Sequence, residues 1–338
     1  MEPLYPLKFA PVCKPKLWGG FKLATHLGKD LGSLPNCGES WEISALGSEL
    51  PTVANGVLAG WTLPALIERY GAALAGPQVY ARHGTAFPLL VKFIDAAERL
   101  SLQTHPGDAL ARQRHGCSGK TEMWYVVQAD PGASVVCGFN QALDVKSYRS
   151  RLADGTLAQA LNIEPAAAGD VFFLPAGRVH TLGQGLLVAE IQQASDITYR
   201  IHDFDRTGAN GQPRQLHNEL ALAALDFGWH PDYVTRYPRR RNRLTTLVAC
   251  DYFRTNLLPF DHGTYREYDG SSAVIHVCVD GAYRLHHGDA VLEIRRGDSV
   301  LIPATLRRVR LSTQTGFTAL ETFVASGDST FSHSGALV

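Results

Sequence analysis

The sequence has no net charge to speak of: 32 Lys and Arg balance 32 Asp and Glu. No global field therefore draws the chain to nucleic acid or to an acidic membrane, and any anionic partner must be held by a few local cations. Arg239, Arg240, Arg241 and Arg243 follow Pro238 as a cluster that reads as a solvated linker, since a nucleic-acid patch usually carries a basic surround. There is also no C-x-x-C pair. Cys13, Cys37, Cys117, Cys137, Cys250 and Cys278 are scattered, so none stands at zinc-ligand spacing to another. No run approaches the roughly 20 apolar residues that cross a bilayer, and Met1 to Pro15 holds no apolar signal core. Free thiols without an export signal predict a cytoplasmic protein.

What is present is 338 residues with a hydrophobic share of 45%, enough for two packed domains rather than one. Short apolar runs alternate with Pro and Gly turns, which predicts a mainly β chain. Trp61 to Ala75 departs from this, with Leu66, Ile67 and Tyr70 at helical spacing and Pro64 near the start. Asn218 to Phe227 reads as a second helix, and Asp144 to Leu161 contains a third. Gly169 to His180 (GDVFFLPAGRVH) is echoed by Gly297 to Arg308 (GDSVLIPATLRR), with Gly177 and His180 replaced by Thr305 and Arg308. A repeated strand–turn unit predicts two similar β-barrels, the second without its histidine. The linker Tyr237 to Arg243 lies between the copies, which divides the chain into residues 1–238 and 239–338.

Side chains on a strand alternate faces, so in Leu100 to His105 (LSLQTH) the residues Ser101, Gln103 and His105 point one way. In Lys120 to Val127 (KTEMWYVV), Lys120, Glu122 and Trp124 share a face. A cation and a carboxylate two residues apart among apolar strand residues fit a cavity wall. On its own, Glu122 is equally well read as half of a surface salt bridge with Lys120. Pro175 and Gly177 shape the turn that presents His180, in a G-x5-P-x-G-x2-H unit that matches the second cupin signature. Two imidazoles, a carboxylate and an amide oxygen make a plausible site for a divalent first-row metal with open positions. In Glu190 to Arg200 (EIQQASDITYR), Asp196, Thr198 and Arg200 share a face, with Glu190 and Gln192 in phase if no bulge intervenes. Arg200 could then face the metal or simply pair with Asp196.

Taken together, KLWGG (Lys16 to Gly20), GESWEIS (Gly38 to Ser44), PLLVKFIDA (Pro88 to Ala96), LSLQTHP, GKTEMWY (Gly119 to Tyr125), PAGRVH and EIQQASDITYRIHDFDR (Glu190 to Arg206) run in family order. The chain resembles type I mannose-6-phosphate isomerase, in its short bacterial branch within the cupin superfamily. The resemblance implies two cupin-type jelly-roll barrels with helical insertions in the N-terminal one, residues 1–238 being catalytic and residues 239–338 degenerate. It implies one Zn2+ per chain on Gln103, His105, Glu122 and His180, and active-site roles for Arg200, Lys120 and Asp196. Trp18, Trp41 and Lys92 fall in matching motifs. The implied reaction interconverts mannose 6-phosphate and fructose 6-phosphate through a cis-enediol, with the metal as Lewis acid and Arg200 against the developing negative charge. Asp196, Lys120 and a metal-bound water are the three candidates for the base. The implied partner is a phosphorylated hexose, with no nucleic acid and no membrane, and the oligomeric state is left open. Two rival classes use the same residues: an iron oxygenase with His105, His180 and Glu122 as facial triad, and a sugar-phosphate-binding module without catalysis.

Overall fold

The computed structural model describes residues 2–208 and 211–325. The punctuated apolar runs fold as strands in three antiparallel sheets. A six-stranded sheet runs in the order Val171–Leu174, Glu122–Ala129, Leu186–Gln193, Leu89–Ala96, Glu39–Ile43, Val12–Lys14. A five-stranded sheet runs Tyr199–His202, Leu102–Thr104, His180–Leu182, Ser134–Phe139, Leu161–Pro165. The third has ten strands, built from residues 245–324 together with Leu7–Ala10 and Thr52–Val53. Class and content are therefore mainly β, as the punctuation predicts. The hydrogen-bond ladders of the described residues leave all three sheets open rather than closed rings.

Every residue of Leu89–Ala96 and Leu186–Gln193 is buried, because the six-stranded sheet is covered on both faces. On one face Val91, Phe93, Met123, Leu187 and Ile191 join Leu257, Ile275, Val277, Leu301 and Leu320 of the ten-stranded sheet in a continuous apolar core. On the other, Ile94, Trp124, Val126, Phe172 and Val188 pack against Val135, Cys137 and Leu182 of the five-stranded sheet. Each such side chain contributes about 1.5–3 kcal/mol of burial. The first core fixes the ten-stranded sheet as the cover of an apolar back. The second leaves a polar group inside it conspicuous, and that is where the chemistry lies.

The expected helix at Trp61 to Ala75 is two, Leu63–Tyr70 and Ala72–Ala75, broken where Gly71 turns to φ 51°. The expected helix at Asn218 covers Asn218–Leu222 only, because the Asp226 amide bonds the Gly177 carbonyl (2.9 Å) instead of continuing the helical ladder. Val145–Ala153 is helical, started by a capping box between Asp144 and Ser147. Helices at Pro77–His83 and Asp108–His115 carry too few apolar residues to stand out in the sequence. None of the described helices is long and apolar enough to cross a membrane.

The internal echo is real in the backbone. Gly169 and Gly297 turn at φ 86° and 92°, then come the buried strands Val171–Leu174 and Ser299–Ile302. His180 and Arg308 each begin the next strand. The copies part at Gly177, which sits at φ 91° where a Cβ would meet the Ala224 carbonyl at 2.7 Å.

Candidate metal centre

Register brings three of the expected ligands together. His180 and Arg200 both stand opposite Gln103 in the five-stranded sheet, so all three project from one face. Glu122 reaches the same space from the six-stranded sheet, where it stands opposite Gln192 and Leu174. His105 follows the strand Leu102–Thr104, and its carbonyl is held by the Gly177 amide at 2.9 Å. The tight turn thereby ties His105 to the loop that delivers His180.

One ligand atom each from His105, Glu122 and His180 lies within 4.8 Å of the others, and all three residues are buried. The ring orientations are fixed from behind. His105 Nδ1 donates to the Ile197 carbonyl (2.8 Å) and His180 Nδ1 to the Arg178 carbonyl (2.9 Å). A carbonyl only accepts, so the proton of each neutral ring is on Nδ1 and the Nε2 lone pair is presented to the site. Gln103 Nε2 lies 3.3 Å from His180 Nε2, and a flip of the amide puts its oxygen there instead. Glu122 Oε1 has no hydrogen-bond partner among the described residues, although His180 Nε2 is 3.3 Å away. A buried acceptor without a donor and two inward lone pairs suit a cation. The expected four residues thus fit a divalent metal.

Burial lowers the His105 imidazole well below its ordinary range and the His180 imidazole to about 4, Lys120 adding to both effects. Both rings are accordingly neutral, the form a metal needs. Burial, then the Glu190 charge, pushes the Glu122 carboxyl up to about 7.

Lys120 is inside this centre. Its Nζ lies 2.5 Å from Glu122 Oε2 and 3.2 Å from His105 Nε2. It also begins a line of alternating charge that sequence reading largely missed. Lys120 is 3.9 Å from Glu190, Glu190 is 2.9 Å from Lys92, Lys92 is 3.8 Å from Glu39, and Glu39 is 3.1 Å from Lys16. Trp124 Nε1 donates to Glu190 (2.6 Å) and Trp41 Nε1 to Glu39 (2.8 Å). Burial raises both acids, but Lys120 and Lys92 hold Glu190 below its ordinary value, and Lys92 and Lys16 hold Glu39 at about 2. For Lys92 burial is outweighed by Glu190 and Glu39, which keep it charged. The motif residues therefore separate: Lys92 and Trp41 belong to this polar line, whereas Trp18 packs in the apolar core. The signal for the line was a Lys or Glu at inner-face phase in otherwise apolar strands.

Arg200 shares the face of Gln103, half-buried, with its Nη1 donating to the Gln215 carbonyl (2.8 Å). Burial, then Arg214, lowers its pKa. Asp196 does not share a strand face with Thr198 and Arg200 as expected. The strand ends at Gln193, the Ala194 amide turns to the Pro88 carbonyl (2.8 Å), and the next strand begins at Tyr199. Asp196 lies exposed on that connection, one residue before the Ile197 carbonyl that orients His105.

Comparison with known proteins points the same way. Residues 7–130 match the family model for the phosphomannose isomerase type I catalytic domain, and residues 243–320 match that for the mannose-6-phosphate isomerase cupin domain. A mannose-6-phosphate isomerase of Streptococcus mutans is 32% identical over 86% of this chain and 90% of its own. Mannose-6-phosphate isomerase ManA of Bacillus subtilis is 32% identical over 90% and 95%. The crystal structure of the mannose 6-phosphate isomerase from Bacillus subtilis superposes with a TM-score of 0.84 at 30% identity, covering 94% of this chain and 99% of that one.

Proposed function

The chain belongs to the type I mannose-6-phosphate isomerase family, and from that premise we propose a zinc-dependent interconversion of mannose 6-phosphate and fructose 6-phosphate through a cis-enediol. The observation that carries the zinc reading is the donor set: two imidazoles locked to present Nε2, a buried carboxylate with a spare oxygen, and the Gln103 amide. Zinc suits these nitrogen and oxygen donors without bringing redox chemistry; an iron oxygenase would use the same residues, and elemental analysis with an oxygen-uptake assay separates the two. When bound, the metal supplies Lewis acidity toward the sugar oxygens.

The chain's own side chains supply the rest. Arg200, on the face of Gln103, holds the negative charge that develops on the sugar oxygens during proton transfer. Lys120, buried among these donors and 3.9 Å from Glu190, is the ammonium the chain itself would supply at the centre. The proton leaves one carbon and returns to its neighbour, and the candidates that carry it are Asp196 at the exposed edge, the buried Lys120 and a water at the site.

Residues 1–238 form the catalytic unit in this proposal, a cupin-type jelly roll, and residues 239–338 a second, degenerate one that covers its apolar back. Residues 326–338 of the second unit lie outside the described residues. Six free thiols are consistent with a cytosolic enzyme.

The test is NMR of fructose 6-phosphate incubated with metal-loaded protein in D2O. Mannose 6-phosphate labelled at C2 is the expected product, and it should not form after chelation. No conversion by a folded, zinc-replete sample would refute the assignment.

A further inference from the structure

We infer that the seam between the two β-units carries a binding site for a nucleoside phosphate, separate from the metal centre. The linker arginines lead to it. Residues 239–241 cross from the first unit to the second along the rim of a cavity of about 520 Å3, a volume in the range of small-molecule sites. One wall is Tyr125 and Val127, on the strand that begins with Glu122 but on its opposite face. The other is Leu257, Pro259 and Val279 of the ten-stranded sheet.

The arginines are set rather than loose. Arg239 pairs with Asp170 (2.6 Å), bonds the Ala168 carbonyl (3.2 Å) and lies over the Tyr237 ring at 5.6 Å. Arg241 pairs with Asp261 (2.5 Å) and donates to Thr318 Oγ1 (3.2 Å). The outer two are thus pinned, one on each unit. Arg240, between them, lines the cavity with no ion-pair partner among the described residues. Arg296 also lines it, and its carboxylate partner Asp280 is 3.9 Å away, at the limit of an ion pair. Four guanidinium groups and one carboxylate, Asp280, line the cavity, and Arg239 and Arg241 are paired outside that lining with Asp170 and Asp261, so the surplus positive charge centres on Arg240.

A bare anion would satisfy that charge and leave the walls idle. Tyr125, Leu257, Pro259 and Val279 are buried and, with the half-buried Val127, give the cavity an apolar and aromatic floor, the kind of surface on which a flat ring rests. A planar base on those walls with its phosphates at Arg240 and Arg296 uses both halves of the cavity, and forked guanidinium groups match phosphate oxygens.

The experiment is calorimetric titration of the zinc-loaded, full-length protein with adenosine and guanosine diphosphates, with inorganic pyrophosphate as the bare-anion probe. The same titrations are made on the His180→Ala protein, because nucleotides also bind zinc. A nucleoside diphosphate should bind both proteins, more tightly than pyrophosphate. Arg240→Ala and Arg296→Ala should each weaken it about tenfold, while Arg240→Ala leaves isomerase turnover unchanged. The Arg240 side chain has no ion-pair partner among the described residues, and its backbone bond to Pro238 survives replacement. The inference is overturned by no binding at millimolar nucleotide, by loss of binding in His180→Ala alone, by pyrophosphate binding equally well, or by indifference to both arginine replacements.

Discussion

Two buried glutamates, Glu122 and Glu321, each lie beside histidine and a cation, one on the six-stranded sheet and one on the ten-stranded sheet, and the two end in opposite states. In the first, Glu122 keeps an oxygen without a hydrogen bond and is pushed up to about 7 by burial. His105 and His180 each spend one nitrogen on a backbone carbonyl and keep the other for the site. In the second, Arg266 grips both oxygens of Glu321 at 2.8 Å, and Asn256 and Tyr268 add further bonds. His276 has a Tyr268 hydroxyl on one nitrogen (3.0 Å) and a Tyr283 hydroxyl on the other (3.2 Å). The position equivalent to His180 is Arg308, exposed and near Glu267 at 3.5 Å. Similar strands thus leave ligand atoms spare in one core and consume them in the other. A metal site is defined by what the protein leaves unsatisfied, as much as by which residues it contains.

The comparison breaks most visibly in the first core. His180→Ala should lose bound metal and turnover together, read by elemental analysis and the isomerase assay, whereas His276→Ala should change neither. The next largest effect is on stability in the second core. Arg266→Met strands a buried carboxylate and should cost about 3–5 kcal/mol in denaturant unfolding, with turnover per folded molecule intact. Replacing both partners, Arg266→Met with Glu321→Leu, should restore most of that loss. A double replacement as damaging as the single one would mean that the pair itself, rather than the stranded charge, holds the unit. Arg200→Ala should then lower turnover about a hundredfold, the scale of one lost oxyanion donor, without loss of metal. Near-normal turnover in the folded variant would remove Arg200 from the chemistry.

The smallest effect is the response to acid. Glu39 is held at about 2 in the fold by Lys92 and Lys16 against its own burial, below its ordinary 4.5. The folded state then binds fewer protons than the unfolded one, so the stability Glu39 contributes is present above about pH 4.5. It is lost as pH falls toward 2. Over the interval from about pH 6 to about pH 3 this amounts to about 2 kcal/mol. Glu39→Gln should flatten the unfolding free energy over that interval by a comparable amount, and an unchanged slope would argue that Glu39 is already unpaired.

Much of the candidate centre was legible because the residues that meet there sit at simple spacings. Gln103 and His105 follow period two, and the Gly-Pro-Gly turn announces His180. The echo made the second unit's missing histidine visible too. What stayed hidden depends on register between distant strands. Lys92 in LLVKFIDA looks like any lysine in an apolar strand until Glu190 is placed opposite it. Arg266 and Glu321 are 55 residues apart and carry no local signal of pairing. Asp196 was misread for a related reason. Nothing in QASDIT marks where the strand gives way to a turn, since the turn is made by a backbone bond to Pro88.

The central claim is that Gln103, His105, Glu122 and His180 hold one zinc ion. X-ray absorption at the zinc edge of the replete protein, with and without His180→Ala, tests it most directly. The account predicts a nitrogen and oxygen shell with two imidazoles in the native protein, reduced to one imidazole or to no bound zinc in the variant. A sulfur-containing shell, or the same spectrum and occupancy in both proteins, would contradict it.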